Sequence, residues 1–240
     1  MKTLEEMQIS GASLSTRGMM LMGYQRTKQV SPAARKAWEA GQPETLEAEV
    51  IARRDEIFTG TLQEVYDDYV PLRAALADMG RSPKTVIDIG CGQALNDALL
   101  VKDFGCAVTL VDIEETPSQY HNWNASGSGY ASLAEAEAFL KANGAQQVTS
   151  INPLKSPEKM TALASADLVT SLISCGFHYP IGDYVDLFLN TVNAGGLVVL
   201  DIRRRYHRNP DAALQKLLFE SKQKMIESTE HKAHRLIFHG

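Results

Sequence analysis

Apolar residues follow two different spacings along this chain. Over the first 82 residues, apolar positions recur every three to four residues, which is typical of helices with one buried face. A capping serine and a proline predict the start of a short helix at Ser31, and a longer helical region extends from Pro43 to Gly80. We therefore predict that residues 1–82 form a helical N-terminal extension.

After this extension, short and nearly continuous apolar runs alternate with helical stretches. Such runs, each followed by a polar tip, are typical of parallel strands that are buried on both faces. The last two runs flank a short polar turn and can form a hairpin. The pattern predicts an α/β fold, with a Rossmann-like, seven-stranded, mostly parallel sheet and a C-terminal antiparallel hairpin. The predicted strands are 85–89, one that ends at Asp112, 147–151, 166–174, 197–202, 224–228 and 234–238.

A glycine turn follows the first predicted strand. Gly90 and Gly92 allow the backbone to turn sharply and allow a ligand to approach it closely. The helix predicted from Gln93 to Phe104 would direct its N-terminal N–H groups and its dipole at that ligand. Asp112, at the tip of the next strand, can accept both hydroxyls of a ribose. We expect an adenosine-containing cofactor at the carboxyl edge of the sheet.

The turn differs from that of a dinucleotide site. A dinucleotide fingerprint has a third glycine where this chain has Leu95. Asp88, two residues before the first glycine, would repel a pyrophosphate but suits a cofactor that carries positive charge. A Rossmann-like domain with another nucleotide or an empty site remains the alternative at this point.

The run Val86–Gly92 resembles the glycine motif of class I S-adenosylmethionine-dependent methyltransferases, and Leu110–Asp112 is similar to that family's ribose-binding strand end. Ala94 stands where the family usually has a third glycine. The resemblance covers about residues 84–240 and implies a methyltransferase-like domain over 83–240. It also implies that residues 1–82 act as a lid over the cofactor, although they could equally only pack on the sheet.

S-adenosylmethionine is the cofactor that the resemblance implies. The residues expected to bind it are Asp88, Gly90, Cys91, Gly92, Gln93, Asp112, Ile113, Asn152 and Ser171.

The tip of the fourth strand adjoins the methyl position in this fold. Family members that modify amino groups often have Asn/Asp-Pro-Pro-aromatic there, and the run Ser174–Pro180 does not match it. His178 lies within this run, and an imidazole ordinarily titrates near ~6.5, which suits the removal of a hydroxyl proton. We predict His178 as the catalytic base, with a role as a loop anchor as the alternative.

The expected acceptor is a small polar molecule with a hydroxyl group, a sugar or sugar conjugate. The run Ser171–Pro180 and the aromatic, amide-rich loop Tyr120–Tyr130 resemble sugar O-methyltransferases of bacterial polysaccharide biosynthesis. Aromatic and amide groups can stack on a sugar ring and bond its hydroxyls. The predicted substrate-binding residues are Trp123, Tyr130, Tyr179 and Arg203.

Composition narrows the possible partners. The chain of 240 residues has a net charge of −5, which argues against a nucleic-acid partner. No apolar run approaches ~18 residues, so we expect no membrane span, and the acidic N-terminus lacks the apolar core of a signal peptide. Three cysteines without metal-ligand spacing predict free thiols, no metal site and a cytoplasmic location. A homodimer is compatible with the sequence.

Two other function classes stay open. One is a non-catalytic, methyltransferase-like cofactor-binding subunit, against which the intact motif argues. The other is a nucleotide-dependent oxidoreductase, which Leu95 and the C-terminal strand pair disfavour.

Overall fold

A seven-stranded sheet in the order β3-β2-β1-β4-β5-β7-β6 forms the centre of the protein in the computed structural model. Strands β1 to β5 pair in parallel, and β7 pairs antiparallel with both β5 and β6. The predicted fold class is therefore confirmed, including the C-terminal hairpin. The strands are β1 (Thr85–Ile89), β2 (Ala107–Val111), β3 (Val148–Ile151), β4 (Leu168–Ser171), β5 (Leu197–Arg203), β6 (Lys222–Ile226) and β7 (Ala233–His239).

The structure describes residues 2–26, 28–116, 123–125, 129–226 and 233–240. A 3-10 turn over Gly182–Tyr184 precedes the ninth α-helix. The α-helices are α1 (Leu4–Met7), α2 (Thr16–Gln25), α3 (Pro32–Glu39), α4 (Glu44–Ala52), α5 (Arg54–Asp78), α6 (Leu95–Phe104), α7 (Leu133–Ala142), α8 (Pro157–Ala162), α9 (Val185–Asn193), α10 (Arg204–Arg208) and α11 (Ala212–Glu220). Within these ranges, no helix is both long and apolar enough to cross a membrane.

Several boundaries differ from the sequence prediction. The fourth strand was predicted to reach Ser174, but it ends at Ser171, because Ile173 adopts a left-handed conformation with φ of 51°. The long N-terminal helical region divides at Arg53 into α4 and α5. The fifth strand extends by one residue to include Arg203, and the basic residues after it form the short helix α10.

Two hydrophobic clusters cover the two faces of the sheet. Val86 and Leu110 contribute to the first, together with buried residues of α2, α5, α6 and α7. Ile87 and Val111, which alternate with them along the strands, contribute to the second with α9 and α11. Met19, Met20 and Met22 are buried in the first cluster, so the N-terminal helices share a core with one face of the sheet.

Candidate functional site

A cavity of about 510 Å³ lies at the carboxyl ends of β1, β2 and β4. Ligand pockets in proteins are typically ~300–1,000 Å³, so this volume suits a small-molecule site. Helices α2 and α5 and strand β7 supply further walls. The residues that line it are Met22, Gln25, Arg26, Lys28, Thr61, Glu64, Val65, Asp68, Asp88, Gly90, Cys91, Gly92, Gln93, Leu95, Asn96, Asp112, Tyr130, Leu172, Ile173, Ser174, Phe177, His178, Tyr179 and Arg235.

The glycine turn after β1 depends on both of its glycines. Gly90 and Gly92 have φ of 75° and 57°, a region that side chains disfavour. A Cβ atom on Gly90 would lie 1.9 Å from Ser174 Oγ, so no larger residue fits between the turn and the loop after β4. Gln25 of α2 closes over the turn from above, with its Oε1 3.5 Å from the place where a Cβ of Gly92 would be.

Asp112 is held at the turn by two backbone donors. The N–H of Gly92 donates to Asp112 Oδ2 at 3.2 Å, and the N–H of Glu114 donates to Oδ1 at 2.8 Å. Burial raises the pKa of Asp112 to about 6, against the lowering effect of these two hydrogen bonds. The carboxyl group is thus fixed in orientation and changes charge near pH 6.

Asp88 and Asp97 are two further buried carboxyl groups, and they form a pair beneath the turn. The hydroxyl of Thr170 donates to Asp88 Oδ1 at 2.5 Å, and Asp97 is close enough for the two carboxyl groups to shift each other's pKa. Asp97 is fully buried, and among the described residues neither oxygen of its carboxyl group has a hydrogen-bond partner. Burial is the main cause that raises the pKa of both groups, and the Asp88 charge raises that of Asp97 further. A carboxyl pair in this position can share one proton.

The loop after β4 presents His178 and Tyr179 to the cavity. The backbone N–H of His178 donates to the Ser174 carbonyl at 2.8 Å, which closes a tight turn. Ser174 Oγ lies 3.2 Å from the Tyr179 hydroxyl, and the N–H of Ile173 donates to Asp201 Oδ2 at 3.1 Å. Burial raises the pKa of Tyr179 well above its ordinary value, so its hydroxyl stays protonated and can donate to a ligand.

Nine of the residues predicted from the sequence line this single cavity. Gln93 is one of them, and its side-chain amide donates to the Tyr130 carbonyl at 3.0 Å. The nine are Asp88, Gly90, Cys91, Gly92, Gln93, Asp112, Tyr130, His178 and Tyr179. The thiol of Cys91 has a raised pKa because it is buried and close to carboxyl groups, so it does not act as a thiolate.

Five other predicted residues do not line the cavity but contact residues near it. Ser171 Oγ donates to the Ile89 carbonyl at 2.8 Å and accepts from the N–H of Cys175 at 3.0 Å. The Asn152 amide donates to the Ile113 carbonyl at 3.0 Å. These contacts support the ends of β1, β2 and β4 from within the protein.

The two predicted substrate contacts outside the cavity are Trp123 and Arg203. The Trp123 ring packs on Tyr206 at 4.8 Å between centroids, and the Arg203 guanidinium lies 4.9 Å from the centroid of the Phe177 ring. Phe177 itself lines the cavity, so Arg203 reaches it only through that ring. Of the loop Tyr120–Tyr130, residues 120–122 and 126–128 lie outside the described residues.

Sequence reasoning missed a charged wall at one end of the cavity. This wall consists of Arg26 at the end of α2, Glu64 and Asp68 of α5, and Arg235 of β7. The Arg235 side chain is buried, pairs through two hydrogen bonds of 2.8 Å with Asp201, and donates to the Asp68 carbonyl at 2.6 Å. An arginine inside an apolar strand was the available signal, since such a residue needs a buried partner.

No protein-family profile and no curated protein sequence matches this chain. Matches to solved structures do exist. The precorrin-6y C5,15-methyltransferase of Geobacter metallireducens is 18% identical, over 64% of this chain and 78% of its own, with a TM-score of 0.43. A methyltransferase of Pyrococcus furiosus is 19% identical, over 70% and 81%, with a TM-score of 0.45. The ribosomal protein L11 methylase of Lactobacillus delbrueckii subsp. bulgaricus is 16% identical, over 73% and 77%, with a TM-score of 0.46.

A likeness at this distance does not extend to an activity or a substrate. The chain's own topology is the firmer observation: five parallel strands, an antiparallel C-terminal hairpin, a glycine turn after β1 and an acid directly after β2. With these features the chain has the class I methyltransferase fold.

Proposed function

We propose that this protein is an S-adenosylmethionine-dependent methyltransferase that acts on a hydroxyl group of a small polar acceptor, a sugar or sugar conjugate. The observation that carries the proposal is the content of one cavity. The glycine turn and Asp112, which suit an adenosine cofactor, line the same cavity of about 510 Å³ as His178. A cofactor site and a candidate base thus face a common volume.

The cofactor would be held by the turn and by the carboxyl groups around it. Asp112 would accept the ribose hydroxyls, and its fixed orientation reduces the cost of ordering the contact. Asp88 also lines the cavity and would attract the positive charges of the ammonium and sulfonium groups. When bound, the cofactor supplies the methyl group and the good leaving group of the displacement.

The acceptor would be positioned and deprotonated by the loop after β4. His178 would take the proton of the attacking hydroxyl, which contributes ~10²–10⁴-fold in reactions of this kind. The Tyr179 hydroxyl, kept protonated by burial, would donate a hydrogen bond to a polar acceptor atom. Helices α2 and α5 form part of the same cavity, and we propose that they exclude water as a lid over the reacting groups.

The test is calorimetric titration of the protein with S-adenosylmethionine, S-adenosylhomocysteine and NAD. We expect the two adenosyl compounds to bind. Asp112→Ala should weaken their binding by roughly 1–3 kcal/mol, because charge-assisted hydrogen bonds are lost. The affinity should also fall as the pH drops below about 6, where Asp112 becomes protonated.

Asp186→Ala is the control, since this side chain is 86% exposed on α9 and does not line the cavity. Equal affinity of the Asp112 variant and the wild type would remove Asp112 from the site. Binding of NAD without binding of either adenosyl compound would reject the proposed function.

A further inference from the structure

Arg26 brings a guanidinium group to the cavity. It ends helix α2, and its side chain lines the cavity. Within the described part of the chain, no group accepts a hydrogen bond from its guanidinium or lies within ion-pair distance of it. Burial lowers the pKa of Arg26, with Asp68 and Glu64 acting in the opposite direction from further away. Arg26 is partly exposed, and a guanidinium has five donors that a ligand in the cavity can meet.

Two of the neighbouring charged side chains, Arg235 and Glu64, are committed to other contacts. Arg235 is bonded to Asp201 through two nitrogens and to the Asp68 carbonyl through a third. Glu64 accepts a hydrogen bond of 2.5 Å from the side-chain amide of Gln29. Arg26 is therefore the arginine of the cavity whose planar donor face is available to a ligand.

The position of Arg26 assigns it to the acceptor rather than to the ribose. Arg235 and Asp201, whose charges act on Arg26, belong to β7 and β5. In the sheet order these strands lie beyond β4, on the opposite side of β1 from β2, where Asp112 stands. The cavity thus has a glycine-turn end and an Arg26 end, with His178 and Tyr179 on the loop that follows the strand between them.

The local charge balance favours a singly charged partner. The charged side chains at this end are equal in number of each sign: Arg26, Lys28, Arg235, Glu64, Asp68 and Asp201. A bound phosphate would give this end close to two excess negative charges beside its three carboxylates, whereas a bound carboxylate adds only one. A planar carboxylate also matches the guanidinium fork through two parallel hydrogen bonds.

We infer that Arg26 binds a carboxylate group of the methyl acceptor, so that the substrate is a hydroxylated carboxylic acid such as a sugar acid. This inference rests on the proposed function and narrows its acceptor class. The carboxylate would fix one end of the acceptor while a hydroxyl is presented to His178.

The experiment measures binding of matched probes by calorimetry and saturation-transfer NMR, with and without S-adenosylhomocysteine. The probes are glucuronate against glucose, galacturonate against galactose, and glucose 6-phosphate. We expect the acids to bind the wild type more tightly than the neutral sugars. Arg26→Met should lower the affinity for the acids by roughly 10- to 100-fold and leave the affinity for the neutral sugars unchanged. Arg26→Lys should give an intermediate loss, because it keeps the charge but not the fork.

Arg17→Met is the matched control, because Arg17 lies on the same helix, carries the same charge and pairs with Glu115 outside the cavity. A thermal melt of each variant shows that it is folded. The inference is overturned if neither acid binds or if the phosphate probe binds more tightly than the acids. It is also overturned if Arg26→Met and Arg17→Met lower the affinity for the acids equally.

The cofactor also carries a carboxylate, and a second arm separates this source. If Arg26→Met weakens S-adenosylhomocysteine but leaves methylthioadenosine unchanged, Arg26 holds the cofactor's carboxylate and the acceptor assignment is wrong. If the wild type binds S-adenosylhomocysteine but shows no preference for acids, this inference fails while the proposed function stands. Failure of the proposed function is seen instead as no binding of either adenosyl compound.

Discussion

Single buried side chains set the pH response of this protein. Asp97 is fully buried, neither of its carboxyl oxygens has a hydrogen-bond partner among the described residues, and the charge of Asp88 acts on it. Its pKa in the folded protein is therefore far above the ordinary value of 3.8. A carboxyl group with a raised pKa stabilises the folded state at low pH. This stabilisation is lost as the pH rises from the pKa of the group in the unfolded chain to its pKa in the folded protein.

We accordingly predict that the free energy of unfolding of the unliganded protein increases as the pH is lowered from 8 to 5. One such group changes it by up to about 1.4 kcal/mol per pH unit. Asp97→Asn should flatten this dependence and raise the stability at pH 8, because an amide needs no proton to stay neutral. Urea unfolding at several pH values measures both effects.

Asp186→Asn, an exposed aspartate on α9, provides the comparison and should leave the pH dependence as in the wild type. If the curves of wild type and Asp97→Asn run parallel, the buried carboxyl group is not the source of the pH response.

His178 is the residue for which the base and anchor roles give different kinetics. If it is the base, His178→Ala lowers turnover by ~10²-fold or more and leaves the affinity for S-adenosylhomocysteine nearly unchanged. The assay follows S-adenosylhomocysteine release with sugars, sugar acids, nucleotide sugars, phenols and amines as acceptors.

His207→Ala serves as the control, since this histidine lies on α10 and does not line the cavity. Full activity of His178→Ala would leave only the anchor role, and activity confined to amines would refute the hydroxyl acceptor.

At the scale of elements, the cap of α2 connects the N-terminal extension to α7. Ser15 Oγ accepts a hydrogen bond from the N–H of Gly18 and donates to Glu135 at 2.6 Å, while the N–H of Ser15 donates to the same carboxylate at 3.1 Å. The cap therefore fixes the helix that carries Gln25 and Arg26.

Ser15→Ala should destabilise the protein by about 1–2 kcal/mol, because it removes a cap and a bond to a charged group. Chemical unfolding measures the loss. Ser156→Ala is the matched control at the start of α8, where the serine makes no capping bond, and it should cost little. Equal losses in the two variants would mean that the Ser15 contacts contribute nothing specific.

The elements also differ in how far the sequence could predict them. The strands and the glycine turn were predictable, because apolar runs and two glycines are local signals that carry over directly into β1 and the turn after it. The end of β4 was not, since the left-handed Ile173 follows from the contact of its N–H with Asp201, a residue of another strand. The division between α4 and α5 at Arg53 was likewise not predictable, because no proline or glycine marks it in the sequence.

The same distinction applies to the site. Nine predicted residues line the cavity, and all of them except Tyr130 come from the ends of β1, β2 and β4 or from the turns that follow, where each strand end has its own sequence pattern. The wall of Arg26, Glu64, Asp68 and Arg235 was missed, because it comes from three elements that only tertiary packing brings together. Asn152 and Ser171 were predicted to bind the cofactor, but Ser171 donates to the Ile89 carbonyl, and the Asn152 amide donates to the Ile113 carbonyl and the Glu114 carboxylate.

At the scale of the whole molecule, the N-terminal helices and the sheet have one core. Met7, Leu46 and Phe58 belong to the same buried cluster as Val86 of β1 and Ile237 of β7. We therefore predict that residues 83–240 produced alone do not fold cooperatively, because the apolar surface that the N-terminal helices cover on α6, α7 and the sheet would be exposed. Size-exclusion chromatography and thermal unfolding next to the full chain test this. A monomeric fragment with a sharp melting transition would contradict it.

This shared core has an evolutionary consequence. A segment whose methionines and aromatic residues interlock with the sheet cannot be exchanged between proteins as an independent module, because each new packing face would need a matching change on the other side. Descendants of this chain would instead acquire new acceptors through single substitutions at Glu64 and Asp68, which line the cavity and lie outside the interlocked apolar cluster. Diversification would then proceed residue by residue while the packing of the N-terminal helices on the sheet stays unchanged.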